Sequence, residues 1–139
     1  MSSTAYILDD RAGALANYPH ARKANGFIYV SGVSSRRPDN THVGVRIHDD
    51  GTIERDIQEQ TRAVIENIRA ILNAAGADLK DLIDLTVFLV DMADYAGMNR
   101  VYNEYFNAQT GPARTTVAVK QLPHPNLLIE IKAVAKEPG

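Results

Sequence analysis

The chain of 139 residues has no cysteine. That excludes disulfides, thiolate nucleophiles, zinc–sulfur sites and redox switching, and it suits a reducing compartment. No apolar stretch approaches the ~20 residues that a membrane-spanning helix needs. Met1 to Asp10 has no basic start, apolar run or cleavage pattern, so a signal peptide is not expected and the cytoplasm is the expected location. Clustered Lys and Arg are also lacking: the net charge is −2, where a nucleic-acid binder carries a localised basic excess. The four histidines, His20, His42, His48 and His124, show no metal-ligand spacing. Gly-x-Gly-x-x-Gly, P-loop and Gly-x-Ser-x-Gly patterns are all missing, which argues against nucleotide binding and serine-esterase chemistry. Neither a metal nor an organic cofactor is expected.

What is present reads as one domain over 1–139. Hydrophobic residues make up 45% and charged residues 23%, ordinary globular usage for a chain that can bury a real core. Asn25-Gly26 between Ala21–Ala24 and Phe27–Ser31 predicts a tight β-hairpin, because both turn residues tolerate positive φ. A loop follows at Arg36–Asn40, then a short strand near Val43–Ile47 closed by Asp49-Asp50-Gly51. Ile57, Thr61, Val64, Ile65, Ile68, Ile71, Leu72 and Ala75 recur at helical spacing, with Asp56 and Glu59 placed for a capping box and Gly76 for the C′ position. Leu82–Val90 reads as a buried strand. A second helix is expected over Asp94–Asn107, with Tyr95, Met98, Tyr102, Tyr105 and Phe106 along one side and Gly111-Pro112 as its stop.

Two final strands, Arg114–Val119 and Leu127–Ala135, complete an α+β mixed sheet with two helices on one face. Along the last strand Leu127, Ile129, Ile131, Ala133 and Ala135 alternate with Leu128, Glu130, Lys132 and Val134. With the apolar sets toward the helices, Arg114 and Glu130 are both expected on the helix-free face. Phe88 and Val90 share that face and are too apolar to stay wet, so an oligomer is expected to cover it.

Arg114 and Glu130 are the residues most able to carry chemistry. A guanidinium at the start of a strand can grip a substrate carboxylate through two parallel hydrogen bonds. It can equally form a structural ion pair, with Glu130 as one candidate partner. Glu130 interrupts an apolar strand, where a carboxylate is costly unless paired or functional. It can activate water or return a proton to departing ammonia, or be only the outward half of an amphipathic strand. The Tyr and Met stripe of the second helix reads as core rather than a ligand box, and Arg36-Arg37 as a solvated loop pair.

Gly111-Pro112-Ala113-Arg114-Thr115-Thr116-Val117, Leu128-Ile129-Glu130-Ile131, Asn99 to Phe106 and Phe27 to Gly32 together resemble the RidA (YjgF-type) reactive-intermediate deaminase family over nearly the whole chain. The resemblance implies a chorismate-mutase-like fold, a homotrimer with clefts between subunits, and hydrolysis of a small carboxylate-bearing enamine or imine to a ketone and ammonia. It also implies that Arg114 binds the substrate carboxylate, that Glu130 orients the attacking water, and that Tyr18, Ser31 and Asn99 line the cleft. Ala16 to Arg22 and Ser31 to Pro38 look like the 2-aminomuconate deaminase branch. Such a dicarboxylate substrate would draw on extra cations, Arg36, Arg37 or Arg22.

Overall fold

Asn25 and Gly26 take φ of 53° and 82°, the two positive values that a two-residue hairpin turn requires, and they join the strands on which the sheet is founded. The computed structural model describes residues 2–139. Its strands in chain order are β1 (Thr4–Tyr6), β2 (Ala21–Ala24), β3 (Phe27–Val33), β4 (Val45–Ile47), β5 (Ile53–Arg55), β6 (Leu82–Leu89), β7 (Ala113–Ala118) and β8 (Ile129–Lys136). The helices are α1 (Ile57–Ala74) and α2 (Tyr95–Tyr105). Six strands form one sheet in the order β1-β2-β3-β8-β6-β7, and β4 and β5 form a separate hairpin. Only β6 and β7 run parallel; every other neighbouring pair is antiparallel. The expected α+β architecture with two helices on one face is the one observed.

Helix α1 is terminated at both ends by the residues that its sequence offers. Asp56 accepts from the Glu59 backbone N–H at 3.0 Å. The reciprocal half of the expected capping box does not form. The Asp56 N–H already donates to the Gly44 carbonyl, and Glu59 turns instead to Arg46 at 2.8 Å. At the other end Gly76 sits at φ 88°, while Ala77 N–H donates to Leu72 and Gly76 N–H to Asn73, the paired bonds of a Schellman motif.

Val64, Ile65, Ile68 and Leu72 of α1 are buried against the inner face of the sheet, where Ile28, Val30, Leu85, Val87, Leu89, Ile129, Ile131, Ala133 and Ala135 are also buried. Each such side chain contributes roughly 1.5–3 kcal/mol when removed from water. Gln60, fully buried in the same helix, donates to the Asn126 carbonyl and accepts from the Leu128 N–H. Those two bonds fix where β8 begins and thereby set the height of Glu130.

Several expectations need correction. β1 and β5 were not expected: each is three residues long, too short to show an alternation. Helix α2 ends at Tyr105 rather than Asn107, because Phe106 adopts extended φ and ψ of −132° and 149° and lays its ring 4.8 Å from that of Tyr102. β6 is buried on one face only, alternating buried and part-exposed positions from Leu85 to Leu89.

The larger correction concerns β7. Arg114 pairs with Leu85 and Thr116 with Val87, both inward-facing core residues, whereas Val117 pairs with Phe88. Paired residues on neighbouring strands project to the same face. Arg114 therefore faces the helices, and Thr115 and Val117 face away, the reverse of the expected assignment. Glu130, paired with Phe88, does lie on the helix-free face.

Candidate functional site

Arg114 projects from the sheet's edge strand toward α2, which supplies all of its side-chain partners. Its guanidinium donates to Asn99 Oδ1 at 2.8 Å and to the Tyr95 hydroxyl at 3.2 Å, and lies 3.8 Å from Met98 Sδ. It also stands 4.6 Å from the centre of the Tyr102 ring, within cation–π range. Burial pushes the Tyr102 phenol above its ordinary pKa, and the adjacent Arg114 cation works against that rise. No carboxylate lies within salt-bridge distance of Arg114 among the described residues. The anticipated alternative of an Arg114–Glu130 pair within one chain is thus not formed, because the two side chains leave opposite faces of the sheet. Arg114 lines a groove of about 400 Å³ with Asn99, Tyr102, Phe106 and Pro112. The aromatic stripe of α2 therefore has two duties: Met98 and Tyr102 are buried core, and they also hold an arginine.

Glu130 is placed by a defect in the ladder between β3 and β8. Val30 pairs with Ala133 but Val33 with Ile131, so β3 carries one extra residue around Ser31-Gly32. This is a β-bulge, a device that re-aims side chains and leaves a local gap. Ser31 leaves the β8 side: its N–H donates to the His20 carbonyl and its hydroxyl to Pro19, at 3.0 and 2.8 Å. Gly32 lies close against the Glu130 carboxyl: a Cβ there would be 2.6 Å from Glu130 Oε2 and 3.0 Å from its carboxyl carbon, so the carboxyl would have to shift to admit one. Burial raises the Glu130 pKa above the ordinary glutamate value, with no cation or hydrogen bond pulling it back. A carboxyl in that condition exchanges protons nearer neutrality than an exposed one.

The remaining expected residues separate into two sets. Tyr18, Ser31, Arg36 and Arg37 line one cavity of about 200 Å³ beside the bulge, and Gly32 belongs to its wall. Asn99 stands apart from them, bonded to Arg114. Arg22 points elsewhere and donates to Ser3 at 2.7 Å. Sequence reasoning missed Arg11, His20, Ser35 and Asn67 in the cavity, and Tyr95 and Tyr102 at the guanidinium. His20, Ser35 and Tyr102 stand in segments that carry the family resemblance but were not singled out there, Arg11, Asn67 and Tyr95 stand outside them, and the Tyr–Met stripe marked the right helix face. Among the described residues no group of three His, Cys, Asp or Glu side chains could hold a metal ion, and no helix is long and apolar enough to cross a membrane.

The whole chain, with the sheet and helices that position Arg114 and Glu130, is similar to known proteins. The family model described as Endoribonuclease L-PSP matches residues 9–137. A RutC family protein of Pyrococcus abyssi is 43% identical over 118 residues, covering 85% of this chain and 84% of the relative. The 3-aminoacrylate deaminase RutC of Acinetobacter baylyi is 43% identical over 123 residues, 87% of each chain. The crystal structure of the yeast protein YEO7 superposes with a TM-score of 0.85 at 34% identity, covering 99% of this chain and 100% of that one. The chain belongs to the endoribonuclease L-PSP family, the family of the RutC and RidA proteins.

Proposed function

We propose that this protein hydrolyses a small enamine or imine bearing a carboxylate, releasing a ketone and ammonia, at a site completed between copies of the chain. The observation that carries this reading is Glu130: a half-buried carboxyl of raised pKa, standing against a glycine whose lack of a side chain leaves it room. The relative named as a 3-aminoacrylate deaminase supports the reaction class.

The chemistry asks little of the protein. Uptake of a solvent proton at the enamine carbon, or at the nitrogen of an imine, gives an iminium, whose carbon is electrophilic. Glu130 as carboxylate takes a proton from water as the water oxygen bonds to that carbon. The resulting carbinolamine takes the proton that Glu130 held onto its nitrogen; the hydroxyl then gives its proton back to the Glu130 carboxylate as the C=O bond forms and the C–N bond breaks, and ammonia leaves the ketone while Glu130 returns the proton to solvent. Arg114 fixes the substrate carboxylate with two parallel hydrogen bonds, converting a bimolecular encounter into a positioned one.

Arg114 and Glu130 face opposite sides of one sheet, so this reading needs Arg114 of a neighbouring copy beside the face that carries Glu130. Phe27, Tyr29 and Val117, which are 37%, 44% and 40% exposed, share that face with Phe88 and give a second copy apolar surface to cover. A homotrimer with three such clefts is the assembly we favour. Tyr18, Ser31, Arg36 and Arg37 are assigned to substrate binding because they line the cavity that reaches Gly32, the neighbour of Glu130, and Asn99 because it bonds Arg114.

We assign 2-aminomuconate as the preferred substrate on the strength of the cations beside the bulge, with a monocarboxylate enamine such as 3-aminoacrylate as the second reading, favoured by the Acinetobacter relative. The test is ammonia release from enzymatically generated 2-aminomuconate and from 3-aminoacrylate, with the oligomer measured by light scattering. A trimer releasing ammonia faster from 2-aminomuconate is expected. No catalysed release from either compound would overturn the deaminase reading, and a stable monomer would overturn the shared cleft.

A further inference from the structure

Two histidines far apart in sequence are brought together by the fold. His42 ends the loop that carries Arg36 and Arg37, and His124 stands in the connection from β7 to β8. Their ring centres are 4.4 Å apart with the planes tilted by 40°. In the first loop Arg36 and His42 form an isolated antiparallel bridge, and the Val43 N–H donates to the Ser35 carbonyl at 3.0 Å. In the second, His124 Nδ1 accepts from the Asn126 N–H at 3.1 Å. Asn126 is held in turn by Gln60 at its carbonyl and by Arg55 at its side chain. The stacked rings thus join the arginine loop to the segment that runs into β8 and Glu130.

This contact suits neutral rings and makes no provision for a charged one. His42 is 7% exposed, and its Nε2 is closed to solvent with no hydrogen-bond partner among the described residues. A protonated imidazole carries N–H on both nitrogens, so a charged His42 would bury an N–H with nothing to accept it. His124 has a complementary restriction. Its Nδ1 accepts, which puts the hydrogen of the neutral ring on Nε2; a second proton would go to Nδ1 and displace the Asn126 N–H.

The charges around His42 act in the same direction. Burial first, then His124, Arg36 and Arg37, hold its pKa below the usual histidine value, and no carboxylate is among the groups acting on it. Asp39, the one acid in its loop, is turned to Thr41 and accepts from the Thr41 N–H and hydroxyl at 3.0 and 2.6 Å. From β5 the charged group that reaches the second loop is Arg55, another cation, and α1 supplies the uncharged Gln60. A carboxylate partner would favour the charged ring; buried among cations, the ring is favoured neutral.

We propose that His42 and His124 form a proton-sensitive joint: their neutral, stacked rings hold the arginine loop against the segment leading into β8, and uptake of a proton from solvent parts the two. The folded-state pKa of His42 is the lowered one. The stability tied to its neutral form is therefore complete above the unfolded-state value of about 6.5 and is lost as pH falls from there toward the folded-state value.

Thermal unfolding of the full-length protein is compared with that of His42→Phe, which keeps a stacking ring and cannot be charged. Between about pH 8 and about pH 5, at one protein concentration, the wild type should lose about 3 °C or more of Tm beyond what the variant loses. Amide exchange in the wild type supplies a measurement that needs no variant, should His42→Phe not fold. On acidification, and after correction for intrinsic exchange, the Val43 and Asn126 amides should exchange about threefold to tenfold faster, the scale of a lost hydrogen bond. Amides in the middle of β6 should not follow them. Equal loss of Tm in the two folded proteins overturns the proposal. So does exchange at Val43 and Asn126 that merely tracks β6. No substrate enters either measurement, so this proposal and the deaminase reading fail separately.

Discussion

Arg114 and Glu130 belong to neighbouring regions of one sheet and are held in opposite ways. Arg114, facing the helices, has Asn99, Tyr95, Met98 and Tyr102 around its guanidinium. Glu130, facing away, has no side-chain hydrogen-bond partner among the described residues and is destabilised as an anion by burial. The first arrangement is preorganised: the guanidinium is aimed before any ligand arrives, which lowers the ordering cost of binding one. In the proposed mechanism the second keeps a proton acceptor reactive by denying it the contacts that would make it inert. A binding group benefits from support, and a proton-transfer group from its absence.

The contrast is tested most severely at Glu130. Glu130→Gln keeps the shape and removes the exchangeable proton, so kcat should fall by about 10²–10⁴-fold with KM nearly unchanged. Steady-state ammonia release checks this, and near-normal turnover would remove Glu130 from the mechanism. The pH profile adds a sign. Burial raises the folded-state pKa of Glu130, so the protonated form is favoured in the fold. Its contribution to stability is present at low pH and lost as pH rises through the raised value. At neutral pH Glu130→Gln should accordingly melt no lower than the wild type while being far less active. The acidic limb of wild-type kcat should lie above the ordinary glutamate range of about 4.3 and disappear in the variant.

A smaller effect is expected at Gly32. The added Cβ of Gly32→Ala would occupy space 2.6 Å from Glu130 Oε2, and the flexible carboxyl must yield. The fold should survive, because Gly32 is not among the positive-φ glycines. Displacing the acceptor by an ångström lowers the rate on the order of 10²-fold, so kcat should drop in an otherwise native variant. Full activity in Gly32→Ala would show that the closeness of Gly32 and Glu130 has no catalytic meaning.

The mildest perturbation falls on the supported side. Tyr95→Phe removes the 3.2 Å hydrogen bond to Arg114 and leaves the ring in place. Loss of one neutral hydrogen bond among several costs roughly 0.5–1.5 kcal/mol. A drop in kcat/KM of about twofold to tenfold is therefore expected, carried by KM rather than kcat. An effect on kcat as large as that of Gly32→Ala would mean that the two regions are not as differently built as the contacts imply.

The candidate site was legible in unequal parts. Arg114, Glu130, Asn99, Tyr18 and Ser31 were found through the resemblance of short segments to a family, since alternation alone left both charged residues open to structural readings. The pairing of Arg36 and Arg37 was visible in sequence, but Arg11 was not, standing 25 positions before Arg36 in a segment without regular structure. Long-range contacts bring it to the cavity: His20 grips that segment, Arg36 bonds its Gly13 carbonyl and Asn67 receives Arg11. The expected capping box shows the same limit in miniature. Asp56 caps as its spacing predicts, but Glu59 is taken by Arg46, a competitor 13 residues away that no local rule contains.

What the sequence determined by itself is local and steric. Asn25-Gly26 sets a hairpin because both residues accept positive φ, Gly76 ends α1 for the same reason, and the alternation of β8 puts Ile129, Ile131, Ala133 and Ala135 on the buried side. What only the tertiary structure decided is the facing of β7. Its residues, Ala113-Arg114-Thr115-Thr116-Val117-Ala118, are mixed in polarity on both alternating sets, so neither set identifies the core. The choice falls to the register against β6, which seats Arg114 beside Leu85 and Thr116 beside Val87 and so turns the guanidinium toward the helix that holds it. A strand's alternation says which residues share a face, but the neighbour's register says which face that is, and hydrogen-bond pairing between segments some 29 residues apart is not written in either segment alone.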